Sequence, residues 1–106
     1  MRPLLTLTAA TMLTAATAAL AAEHSASSTC DYKVAMAMVD KAMPMNFTGD
    51  ADADFARLMI PHHQGAIAIA EIELEHGKDP MLRKMAQTMV AKQKEEISSL
   101  EHSLAD

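Results

Sequence analysis

The chain has 106 residues, of which 50% are hydrophobic, 22% charged and 3% aromatic, and its formal charge is −5. That length gives one small domain and leaves no room for a large enzyme with a deep pocket of its own. An acidic balance without a basic stripe argues against nucleic acid and against an anionic membrane surface as partner. Cys30 is the single cysteine, so no internal disulfide can form, and stability must come from the core, a metal or another chain.

Residues 1–21 read as a secretory signal peptide. Arg2 supplies the charged start, the stretch from Leu4 to Leu20 carries no charge, and Ala19-Leu20-Ala21 offers the small-x-small cleavage pattern. The run is Ala- and Thr-rich and short of strong hydrophobes, which favours a cleaved signal over a membrane anchor. Cleavage would leave 85 residues with a charge of −6, exported to the periplasm and free of the membrane. The residues before Cys30 lack the large apolar side chain that precedes a lipoprotein cysteine. Residues 22–30 are expected to form a flexible leader, with residues 31–106 forming a helical metal-binding domain.

Asp31 is expected to cap a short helix through about Met43, ended by Pro44. After a turn, Asp50 or Asp52 caps a second helix that runs to His76 and stops at Gly77 in a left-handed cap. Asp79-Pro80 starts a third helix, by cap then proline, that continues to about Leu104. No strand-like alternation occurs. The expected fold is all-α, a small antiparallel bundle of three helices. On a wheel of the second helix, Arg57, Gln64, Glu71 and Glu75 mark the wet face. Phe55, Met59, His62, Ala66, Ile69 and Ala70 lie opposite, with His63 at the margin and Glu73 on the side expected to be buried. Small residues at 65, 66 and 70 invite a close neighbour. On the third helix, Leu82, Met85, Ala86, Met89, Ile97, Leu100 and Leu104 share a face.

Chemistry concentrates at His62-His63, preceded by Met59. Imidazole nitrogen and thioether sulfur together suit copper, Cu(I) above all, better than they suit Mg or Ca. Met59 lies three and four residues before the pair, so one turn of helix can present all three. A pair of polar residues at a packed edge is the plainer alternative. Beyond residue 21 the sequence holds eight methionines against one Tyr and two Phe, an excess that an aromatic-poor core could also absorb as filler. A hairpin about residues 45–49 puts Met36 level with Met59 and Tyr32 level with His63, making Met36 the favoured thioether from the first helix. A hairpin about Gly77-Lys78 puts Met89 near position 68, about 7 Å along the axis from His63. Met89 is then a marginal ligand and Met85 a poor one, with core filling as the plainer role for both.

Other patterns carry less. Asp50-Ala-Asp-Ala-Asp54 mimics the start of a calcium loop, but Phe55 and Pro61 stand where that loop needs Gly and Glu. Glu73-x-x-His76 has the spacing of di-iron bundles, yet only one such motif is present; a buried Glu73 could instead orient a histidine. His76 with Met81 could hold a weaker metal. Cys30 reads as a mobile thiol or as a soft ligand near the histidines. No serine or cysteine has an attendant base, so an enzyme is not expected.

The run Asp54-Phe-Ala-Arg-Leu-Met-Ile-Pro-His-His-Gln-Gly-Ala-Ile67, followed by Glu73-Leu-Glu-His-Gly-Lys-Asp-Pro80, resembles the domain of unknown function 305 family. These are small exported helical proteins of ferritin-like character that include CopM-type periplasmic copper binders. The likeness extends over residues 32–104. It implies copper handling, with Met59, His62 and His63 in the Met-x-x-His-His motif and Met36, Met38 and Met43 in the Met-rich first helix. Many relatives carry Asp-Met where this chain has Ala68-Ile69, and Met where it has Leu100, so those positions cannot ligate here.

The expectation is a periplasmic protein that sequesters or passes on Cu(I) or Ag(I), with Cu(II) leaning on histidine and oxygen donors. Met59, His62, His63, Met36 and Met89 form the ligand pool. Its partners are the metal ion, another periplasmic copper-handling protein and, as an assembly, a second copy of itself. The rival readings are a dimeric di-iron or copper oxidase using Glu73 and His76, and a Met-rich interaction module.

Overall fold

The computed structural model describes residues 9–106, with side chains from residue 15 onward. Arg2 and the first apolar residues of the expected signal lie outside the described residues. Three helices make up the fold: α1 (Ala9–Ala42), α2 (Ala51–His76) and α3 (Pro80–Ala105). No strand occurs among the described residues, so the architecture is all-α, a small helical bundle. None of these helices is long and apolar enough to cross a membrane.

α1 is far longer than the short helix expected from Asp31. The sequence has neither Gly nor Pro between Pro3 and Pro44, so nothing breaks the helix. The Ser28 and Thr29 hydroxyls both donate to the Ser25 carbonyl at 3.0 Å, a helix-compatible way of satisfying polar side chains. Residues 22–30, expected to be a flexible leader, are therefore helical, and Asp31 lies inside α1 instead of capping it. Pro44 ends the helix because the residue before a proline is pushed out of the helical region.

The connector to α2 is built on acids. Asp50 caps α2 by accepting from the Asp52 and Ala53 amides. Asp54 reaches back, accepting from the Thr48 amide and hydroxyl at 2.9 Å and from the Gly49 amide at 3.1 Å. Gly49 has φ +88, a conformation that favours glycine. The Thr48 amide is the main reason the Asp54 carboxyl titrates below its ordinary value of 3.8. The Thr48 hydroxyl, Gly49 and Arg57 add to the effect and partial burial opposes it. Two of the three acids that mimic a calcium loop, Asp50 and Asp54, are thus occupied by backbone amides.

The far end of α2 differs from expectation. Gly77 has φ −71 and ψ 150, extended and not left-handed. Arg83 from α3 takes over the work of the cap: its Nη1 donates to the Leu74 carbonyl at 2.7 Å and the Gly77 carbonyl at 2.9 Å. An extended exit also leads straight into the Asp79 cap of α3, which accepts from Met81 and Leu82 with Pro80 in the first turn. Glycine is still required at 77, where a Cβ would run into the Glu73 carboxylate and lie 2.6 Å from the Glu73 carbonyl.

α2 is the middle helix. α1 and α3 each pack on it and, among the described residues, do not meet each other. The molecule is only 14 Å thick, close to the 10–12 Å of one helix with its side chains. Its buried apolar residues are Ala35, Ala56, Ala70 and Ala86 and one larger side chain, Ile72. Methionine as core filler is therefore corrected for Met85, which is exposed, while Met89 is half-buried.

The α2–α3 register agrees with expectation to within a turn, since Arg83 meets Leu74 and Glu96 meets His63. The α1–α2 register does not. Val39 packs on Gly65, and Asp31 meets His76, so Met36 lies well past Met59. The reason is the eight-residue connector at residues 43–50, which is not helical. Extended chain covers about 3.3 Å per residue against 1.5 Å in a helix, and that length lets α1 slide along α2.

Candidate metal centre

The sharpest site lies in the seam between α2 and α3. Phe55, Met59 and His63 from α2 face Glu96, Ser99 and Leu100 from α3 around a cleft of about 400 Å³. One face of α2, stepping by four residues from 55 to 59 to 63, supplies the first wall; the 96, 99, 100 spacing supplies the second. The His63 side chain is only 16% exposed, and its Nε2 lies 2.8 Å from Glu96 Oε2. Glu96 is also 3.9 Å from Lys92 Nζ.

This pairing fixes the tautomer. With Nε2–H donating to Glu96, Nδ1 carries the lone pair, and Nδ1 is buried without a hydrogen-bond partner. A ring nitrogen held free by a carboxylate on the opposite nitrogen is the usual preparation of a metal-ligating histidine. A purely structural ion pair with a protonated ring would instead bury an unsatisfied N–H, at a cost of about 1–3 kcal/mol. Met59 lines the same cleft, so its walls include one thioether residue and one imidazole residue.

The other expected ligands are dispersed. His62 is exposed although the wheel puts it on the apolar face. Its ring centroid is 6.1 Å from that of His63. α2 is flanked on two sides and open on the other two, so an apolar arc need not be a buried arc. Met36 stands half exposed on α1 and does not line the cleft. Met89 lines a separate shallow groove with Met81 and Met85, a stripe of thioethers at four-residue spacing. Cys30 is exposed with its thiol free. Glu73 lies against Gly77, while His76 turns to Asp31 across the other seam at 2.8 Å, so the Glu-x-x-His spacing does not converge on one point.

Three residues of the seams went unnoticed in the sequence. Glu96 sits one position after Glu95 in a charged run, and only its spacing of four from Leu100 hints that it faces α2. Asp31 reads as a cap, and Arg83 has no local partner at all.

The profile of the family described as Domain of unknown function (DUF305) matches residues 1–104. The chain belongs to that family. No curated protein and no solved structure matches significantly. Within the DUF305 match, the Met59-x-x-His62-His63 motif contributes only its first and last members to the cleft.

Proposed function

We propose that this chain is an exported, periplasmic copper-binding protein that sequesters or hands on Cu(I), with Ag(I) as a soft analogue, and that residues 1–21 are its cleaved signal. The observation that carries this reading is the buried, unpartnered Nδ1 of His63, a ring held by Glu96 in a cleft that Met59 also lines. Copper is cargo here and the chain turns nothing over. The exposed thioethers of Met81 and Met85, with Met89 beside them, give the ion a second soft surface on its way in or out. Met36 and His62 drop to minor roles on this reading.

The pairings of residue 31 with 76, 39 with 65, 96 with 63 and 83 with 74 support an antiparallel arrangement of the helices. The reading also includes self-association. Val34, Met38, Phe47 and Phe55 stand exposed and support it.

Competition with a Cu(I) chelator tests the assignment. His63→Ala is expected to weaken Cu(I) binding roughly 100-fold and Met59→Leu roughly tenfold, with His62→Ala close to wild type. Since imidazole ligates only when neutral, binding should weaken as pH falls from about 8 to 5. Wild-type affinity in His63→Ala, or binding flat across that range, sinks the His63 assignment.

A further inference from the structure

A second group of ligand atoms lies in the other seam, 13 residues further along α2. Asp31 of α1 and Glu75 and His76 of α2 present one donor atom each, all within 4.8 Å of one another. We propose that these three residues form a site for a borderline divalent cation, of which Zn(II) is the test case, chemically separate from the thioether cleft at His63.

The donors are imidazole nitrogen and carboxylate oxygen with no sulfur, a set that suits Zn(II) and not Cu(I). His76 Nε2 stands 2.8 Å from Asp31 Oδ2 and 3.9 Å from Glu75 Oε2. A tetrahedral ion with bonds of about 2.0–2.1 Å holds its donors about 3.3 Å apart. The His76 gaps have to open and close by only about half an ångström, and the carboxylates, within 4.8 Å of each other, have to close by up to about 1.5 Å. The His76 ring is 10% exposed and its Nδ1 has no partner, so its hydrogen bond runs to the Asp31 carboxylate.

A fourth donor is at hand. The His24 ring centroid is 4.8 Å from that of His76, and His24 Nε2 lies 3.2 Å from the His76 carbonyl oxygen. Exchanging that carbonyl for the ion would complete two imidazoles and two carboxylates. The field also favours a cation, since His76 is the last residue of α2, at the negative end of its dipole. Arg83 is the opposing positive group, but its guanidinium is engaged by Leu74 and Gly77. Two carboxylates neutralise the two charges of the ion, and the ring proton passes from Nε2 to Nδ1 as the ion takes Nε2, so the imidazole stays neutral. The ion fastens α1 to α2 at residues 24–31.

Calorimetric titration of the chelator-stripped full chain with Zn(II) tests this. One ion per chain is expected. His76→Gln should weaken it roughly 10–100-fold. Glu75→Gln, which leaves the Asp31–His76 bond and the fold intact, should weaken it about tenfold. Zn(II) should also slow amide exchange across residues 24–31 of the wild type. His63→Ala should leave Zn(II) binding unchanged, which separates this outcome from the fate of the copper assignment. Wild-type affinity in both His76→Gln and Glu75→Gln, or loss of Zn(II) in His63→Ala, overturns the site.

Discussion

The two seams of α2 use the same device to different ends. In each, a histidine of α2 extends Nε2 to a carboxylate on the neighbouring helix at 2.8 Å and leaves a buried Nδ1 without a partner. His63 does so beside Met59, Phe55 and Leu100 in an apolar cleft, whereas His76 does so beside Glu75 at a helix end. The imidazole–carboxylate pair therefore does not decide the chemistry; its neighbours do. Sulfur and apolar walls incline one seam to soft ions, and added oxygen donors incline the other to harder ones.

The seams also differ in how they are closed. α1 approaches α2 through Gly65, where a Cβ would collide with Val39 Cγ2. Gly65→Ala should loosen α1 selectively. Overpacking costs about 1–3 kcal/mol, offset by about 1 kcal/mol of helix propensity. The clearest readout is amide exchange, fast across α1 and unchanged in α2 and α3, with rescue by Val39→Ala. α1 protection equal to wild type would show that the small-residue contact does not hold that seam.

The α2–α3 seam depends on the Arg83 guanidinium instead. Arg83→Met should cost about 1–2 kcal/mol as the Leu74 and Gly77 carbonyls lose a charged donor, read as a lower Tm with α1 exchange little changed. A smaller effect is expected at the His63 cleft. Glu96→Gln keeps the side chain's shape but weakens the hold on the His63 tautomer, and Cu(I) affinity should fall about tenfold. Zn(II) affinity should stay at the wild-type value. Parallel loss of both ions would erase the distinction between the seams.

The smallest effect lies in the connector that sets the α1 register. Asp54 titrates below 3.8 in the folded chain, so its carboxylate stabilises the Thr48–Gly49 turn at every pH above that value. The stabilisation is lost as pH falls from 3.8 through the lowered folded value. The Thr48 and Gly49 amide resonances should shift in that acid range alone, and in Asp54→Asn the transition should vanish. A transition that survives in Asp54→Asn would assign the turn's pH response to another group.

Local chemistry was enough to read three helices, their main caps and the chemical character of the Met59-His63 turn. Asp50 and Asp79-Pro80 announce helix starts because capping is a matter of a few neighbouring residues. The Gly77-Lys78 hairpin is short, so counting residues from it put α3 in register. Counting failed at the longer connector, whose path depends on the Asp54 turn, and so Met36 was placed beside a sulfur it does not approach. Likewise Asp31, Glu96 and Arg83 have no meaning along the chain, because their partners lie 45, 33 and 9 residues away.

Sequence alone therefore settled the extents of α2 and α3, though not the reach of α1, and which side chains carry soft donors, since periodicity, caps and ligand chemistry are properties of neighbours in the chain. The tertiary structure decided which histidine is sheltered and which carboxylate orients it. That choice depends on the axial offset and the flanking of α2 on two sides, and neither is encoded within a single turn of helix.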